Sequence, residues 1–157
     1  RRQDEQGRDD RRDERRCCSR LGRPKVKITV DTNVLVRGLV RDDPKQAGVA
    51  AKILKNASLI AVTLPCLCEF VWVLRRIYDF DSEAIAAAIR ALLNTKNVLM
   101  NRPATEAGLA ILEAGGDFAD GVMAYEGTWL GGESFVSFDK KAVELLTRQG
   151  EAAQLLK

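Results

Sequence analysis

Apolar positions along this chain fall into short blocks of two kinds. Val26, Ile28 and Val30 alternate with Lys27 and Thr29, which is the period of a strand. Asp31-Thr32-Asn33 follows directly, so Asp31 stands at the strand's carboxyl end, and a helix is predicted from there through Leu39. Asp42-Asp43-Pro44 supplies a cap and a first-turn proline for a second helix carrying Val49, Ile53 and Leu54. The unbroken apolar run from Leu59 to Thr63 has the length of a buried parallel strand. Pro65 then opens a longer helix to about Asp79. Phe70, Val73, Leu74 and Ile77 form its core stripe, Cys66 and Val71 flank that stripe, and Glu69, Trp72 and Arg76 share another face.

The second half repeats the alternation. Ser82 is read as the cap of a helix bearing Ile85, Ile89, Leu92 and Leu93, and Val98-Leu99-Met100 as a short strand. A helix from about Ala104 stops at Gly115-Gly116. Asp117-Phe118-Ala119-Asp120 starts the next, which runs to Leu130. Ser134 to Phe138 is a strand with Asp139 at its carboxyl end, before a final helix through Leu146. Strands separated by helices predict an α/β fold, a mainly parallel sheet with helices on both sides. No internal repeat is present.

Composition narrows the chemistry more than the fold. A chain of 157 residues that is 46% apolar suits one domain with a real core. No apolar run spans a bilayer and no secretion segment is recognisable, so a cytoplasmic, soluble protein is expected. The cysteines, Cys17-Cys18 and Cys66-x-Cys68, match neither a zinc site nor a disulfide framework, and Cys66 and Cys68 read as small buried side chains. There is no histidine, which removes every mechanism that needs imidazole.

The net charge of +3 sits in residues 1–24, where nine Arg face six Asp or Glu; elsewhere the charges cancel. With almost nothing apolar before Leu21, residues 1–24 are read as a disordered charged extension, and residues 25–157 as the folded domain. Nucleic acid would therefore be attracted by a local basic patch or by the extension. Arg37, Arg41, Arg75 and Arg76 are candidate phosphate contacts, each taken singly as a solvated surface charge, and neither Trp72 nor Trp129 is assigned to a site.

In an open parallel sheet, functional groups collect beyond the carboxyl ends of the strands. Asp31 and Asp139 both stand there, Asp117 and Asp120 share a helix face, and Glu69 is an isolated acid in the apolar first half of its helix. Its apolar neighbours predict a largely buried setting in which an unpaired carboxylate would be costly. Converging carboxylates repel one another unless a cation neutralises them, and hard oxygen ligands suit Mg2+ or Mn2+. Such a site hydrolyses phosphodiesters without histidine.

Val30-Asp31-Thr32-Asn33-Val34, Glu69, Asp117-Phe118-Ala119-Asp120 and Ser137-Phe138-Asp139, in that order, resemble the motifs of PIN-domain ribonucleases. The likeness runs from about Val26 to Leu146, and the small single-domain build is most similar to VapC-type toxins of toxin-antitoxin pairs. It implies a three-layer α/β/α sandwich, one or two Mg2+ or Mn2+ ions, an RNA substrate, a cognate antitoxin and a homodimer. It also implies that Asp31, Glu69, Asp120 and Asp139 are the catalytic, metal-binding acids, with Asn33 and Ser137 as polar supports. Asp117 matches a further acid found in some members, and its readings as metal ligand and as helix cap both stay open. Gly121 departs from the usual helix former after Asp120, at an expected cost of roughly 1 kcal/mol to the helix.

Two other functions compete. A catalytically silent module would use the same fold to hold RNA or a protein. A phosphoacceptor domain would need a second acid beside Asp31 and a strand-end lysine, whereas Thr32-Asn33 follows Asp31 and no such lysine is present.

Overall fold

The computed structural model describes residues 26–157, so the charged extension and Cys17-Cys18 lie outside the described residues. Strand β1 (Lys27–Thr29) leads through Val30 and Asp31 into helix α1 (Thr32–Val40), and α2 (Pro44–Asn56) follows after a turn at Arg41. Asp43 caps α2 through the Lys45 and Gln46 N–H groups, with Pro44 at its first position, as the sequence pattern predicts. Then come β2 (Leu59–Ala61), α3 (Leu64–Arg76), α4 (Ser82–Leu93), β3 (Val98–Leu99), α5 (Arg102–Glu113), α6 (Phe118–Trp129), β4 (Phe135–Ser137), α7 (Lys140–Arg148) and β5 (Ala153–Leu155).

The strands run parallel: β2 lies between β1 and β3, while β4 pairs with β5. The arrangement is the expected three-layer α/β/α fold. Because β1, β2 and β3 are parallel, the helices that follow them begin at one sheet edge. Their caps are Asp31, Thr63 and Asn101, each accepting a first-turn backbone N–H.

The main core joins Leu67, Phe70 and Leu74 of α3 to Ile85 and Ile89 of α4, Leu109 and Leu112 of α5, and Phe118 of α6. Each is almost wholly buried, and each such side chain contributes about 1.5 to 3 kcal/mol through removal from water. A satellite cluster of Ile111, Ala124, Leu145 and Leu146 seats α7 and the β4–β5 pair.

Several expectations are corrected. Helix α3 ends at Arg76, and Ile77 is exposed rather than part of the core stripe; Asp81, not Ser82, caps α4. On α2 the buried positions are Ala47 and Ala50, whereas Val49 and Ile53 face solvent. Strand β5 has no alternating apolar signal and went unpredicted. Arg37 is not a free surface charge: it donates to Asp42, to Gln46 Oε1 and to Tyr78, and the Tyr78 hydroxyl also donates to Asp42. These contacts, the Arg37 hydrogen bond first, hold the Asp42 carboxyl down at about 2. They tie the α1–α2 turn to the α3–α4 connection.

Gly121 is the clearest correction. A β-carbon there would lie 2.4 Å from the Ala107 carbonyl oxygen and 2.8 Å from Gly108 Cα. Glycine is what lets α6 pack directly on the backbone of α5, so its cost to helix propensity is offset by a contact no other residue permits. Gly108 answers it across the crossing, since a β-carbon there would lie 2.7 Å from the Phe118 ring.

Candidate active site

Asp31 is held at the first turn of α1, where its Oδ1 accepts the Val34 N–H at 3.0 Å. The next residue, Thr32, is 5% exposed, and its hydroxyl donates to Glu69 Oε2 at 2.6 Å. That bond joins α1 to α3 and fixes one oxygen of the Glu69 carboxylate, leaving the other open. Glu69 itself is exposed, so the expectation of a largely buried acid is corrected: the acid face of α3 opens outward while Cys66 and Phe70 turn inward. Thr32 was not among the residues singled out from sequence. Its only signal was adjacency to Asp31, because its partner lies 37 residues away.

The other acids gather where α6 and α7 begin. Asp117 caps α6 through the Ala119 N–H at 2.9 Å, and Asp120 follows in the first turn. Asp139 caps α7, its Oδ1 accepting from Lys141 N at 2.8 Å and Ala142 N at 3.2 Å. Ser137 supports that turn, its hydroxyl oxygen accepting the Asp139 N–H at 3.0 Å. Asp120 is set apart from its neighbours. Partial burial, then the nearby Asp117 and Asp139 charges, push its carboxyl above the usual range.

Two cysteines on α3 lie between these groups. Burial, then the charges of Asp31 and Glu69, push the Cys66 thiol up against the opposing effect of its Thr32 contact; burial and then Asp117 and Glu126 do the same for Cys68. Asp31 and Glu69 are thus close to one thiol and Asp117 to the other, one turn or less along the same helix. Both thiols are free; Cys66 is buried as expected, whereas Cys68 is only half-buried.

The five predicted acids therefore form two neighbouring groups, Asp31 with Glu69 and Asp117 with Asp120 and Asp139. Asn33 is exposed and lines a furrow between α1 and α2 together with Asp31. Among the described residues, no three of His, Cys, Asp and Glu are close enough to grip one ion as they stand. The donor set nonetheless suits a hard divalent cation. It consists of carboxylate oxygens, and none of these acids is paired with a Lys or Arg within 4 Å among the described residues.

No curated protein matches the chain. PIN domains are generally nucleases, and they typically bind divalent metals. The model of the PIN domain matches residues 28–145, a span that takes in all five acids and most of the chain, and the chain belongs to the PIN-domain family.

Proposed function

We propose that this chain is a divalent-metal-dependent ribonuclease in which residues 25–157 form the nuclease domain and Asp31, Glu69, Asp120 and Asp139 are the catalytic acids. Asp117 is the fifth acid of the metal site, and Asn33 and Ser137 support it. The observation that carries this reading is Asp120, a half-buried carboxylate crowded by Asp117 and Asp139 and paired with no Lys or Arg among the described residues. Such crowding is relieved by a bound Mg2+ or Mn2+. When bound, one or two such ions supply Lewis-acid stabilisation of charge developing on the phosphate. The chain's own groups do the rest. Helix caps fix Asp31 and Asp139, Thr32 orients Glu69, and Asp120 stands half-buried beside Asp117 and Asp139, the carboxylates that would share the ion.

The decisive experiment incubates the purified chain with single-stranded RNA. Cleavage is expected with Mn2+ or Mg2+, EDTA stops it, and Asp31→Asn abolishes it. Full activity in Asp31→Asn would overturn the site assignment. RNA binding without cleavage under every metal would instead favour the silent binding module.

Thr32→Val tests the positioning of Glu69. Valine keeps the shape of a buried threonine but donates nothing, so kcat is expected to fall about 10- to 100-fold with little change in KM, and Thr32→Ser to recover most of it. Equal loss in the serine variant would show that packing, not the hydrogen bond, is what matters.

The role of a toxin neutralised by a cognate antitoxin belongs to the same reading. It is supported by the furrow of about 350 Å3 beside Asp31, whose apolar walls Val34, Val49 and Ile53 suit a protein partner. The homodimer is supported by Trp129 and Leu130, which stand largely exposed at the end of α6. Among the described residues no helix is long and apolar enough to cross a membrane.

A further inference from the structure

A strand of RNA that reaches five acids must be held by cations close to them, because the body of this protein carries no excess positive charge to attract it. Two of the basic groups on the elements that carry the acids are already engaged. Arg37 is bound by Asp42, Gln46 and Tyr78, and Lys140 pairs with Glu144 at 3.6 Å. Two lysines are different, and one stands with each group of acids.

Lys45 lies in the first turn of α2 and lines the same furrow as Asp31 and Asn33. Its backbone is fixed by the Asp43 cap at 2.9 Å, while its ammonium has no ion pair among the described residues. Lys141 occupies the matching position in α7, its N–H held by Asp139 at 2.8 Å. Its ammonium reaches over the α5–α6 turn, where Nζ would lie 3.9 Å from a β-carbon built on Gly115, two residues before Asp117. It too has no ion pair among the described residues. The caps that present Asp43 and Asp139 to the backbone thus root each lysine firmly while leaving its charged end unspent.

We propose that Lys45 and Lys141 are phosphate-binding residues on either side of the carboxylate site, gripping the RNA backbone that flanks the scissile bond. The assignment rests on the ribonuclease reading for its ligand. It places one end of the strand in the α1–α2 furrow and the other across the α5–α6 turn. A protein seated in that furrow would cover Lys45 as well as Asp31.

The test measures binding of a fluorescent oligo-uridylate to the full chain carrying Asp31→Asn, as a function of salt. Lys45→Ala and Lys141→Ala, each added to that parent, are expected to weaken binding about fivefold at 0.1 M salt and to lower the salt slope by about 0.7 each. The two losses together should be additive, Lys45→Arg and Lys141→Arg should restore both quantities, and Lys55→Ala, in the last turn of α2 and outside the furrow, should match the parent. Unchanged affinity and slope in both alanine variants would overturn the proposal while leaving the nuclease reading intact, since cleavage by the unsubstituted chain is scored separately. A parent that shows no salt-dependent RNA binding overturns it too, and if the unsubstituted chain also fails to cleave, the nuclease reading falls with it.

Discussion

Asp120→Asn is expected to reduce RNA cleavage roughly 100- to 1000-fold and, in metal-free buffer, to raise the melting temperature. The two effects have one cause. Partial burial first, and then the charges of Asp117 and Asp139, push the Asp120 carboxyl above the ordinary range. A folded-state pKa above the unfolded value means that the native state holds the proton more tightly than the unfolded chain does. The penalty is therefore fully present above the folded pKa, is relieved as pH falls through it, and is absent below the unfolded value. At neutral pH the ionised group opposes folding, and asparagine of the same shape removes that opposition. In EDTA the variant should melt above the parent at pH 7, and the gap should close as acid protonates Asp120 in the parent. Added Mn2+ should reverse the order, because the parent gains a ligand that the variant holds weakly. A variant that melts below the parent in EDTA would show that Asp120 serves packing instead, and one that keeps its activity would remove it from the site.

What sequence revealed of this site was whatever local chemistry encodes. Asp31 and Asp139 are legible because a strand period ends and a helix begins on each of them, and the structure finds both as caps. Asp43-Pro44 announces α2 for the same reason. Periodicity says which side chains share a face but not whether anything covers that face. Val49, Ile53 and Ile77 have helical spacing and yet stand in solvent, because no element packs over them. Thr32 was missed because its role exists only where α1 meets α3, and a hydroxyl next to an acid carries no mark of a partner 37 residues on. Glu69 was assigned to the site although its surroundings were misjudged: the neighbouring apolar residues bury a different face of α3.

Gly121 is where local and tertiary reasoning give opposite signs, and Gly121→Ala separates them. Helix propensity alone predicts that alanine stabilises α6 by up to about 1 kcal/mol. The crossing predicts the reverse, because the added methyl would lie 2.4 Å from a backbone oxygen and 2.8 Å from the Gly108 Cα. No flexible side chain is there to move aside, so α5 and α6 must separate. The expected loss is about 3 kcal/mol, read as a fall of roughly 10 °C in melting temperature. Gly127→Ala is the internal control: it lies in the same helix with nothing within 4 Å of its β-carbon, so propensity should prevail and stability should rise slightly. If both variants stabilise, the close approach of the two helices is wrong. If only Gly121→Ala destabilises, the glycine that looked like a weakness beside Asp120 is what holds α6 against α5, and with it the placement of Asp117 and Asp120. Separating those helices should then lower cleavage in the variant at temperatures where it is still fully folded.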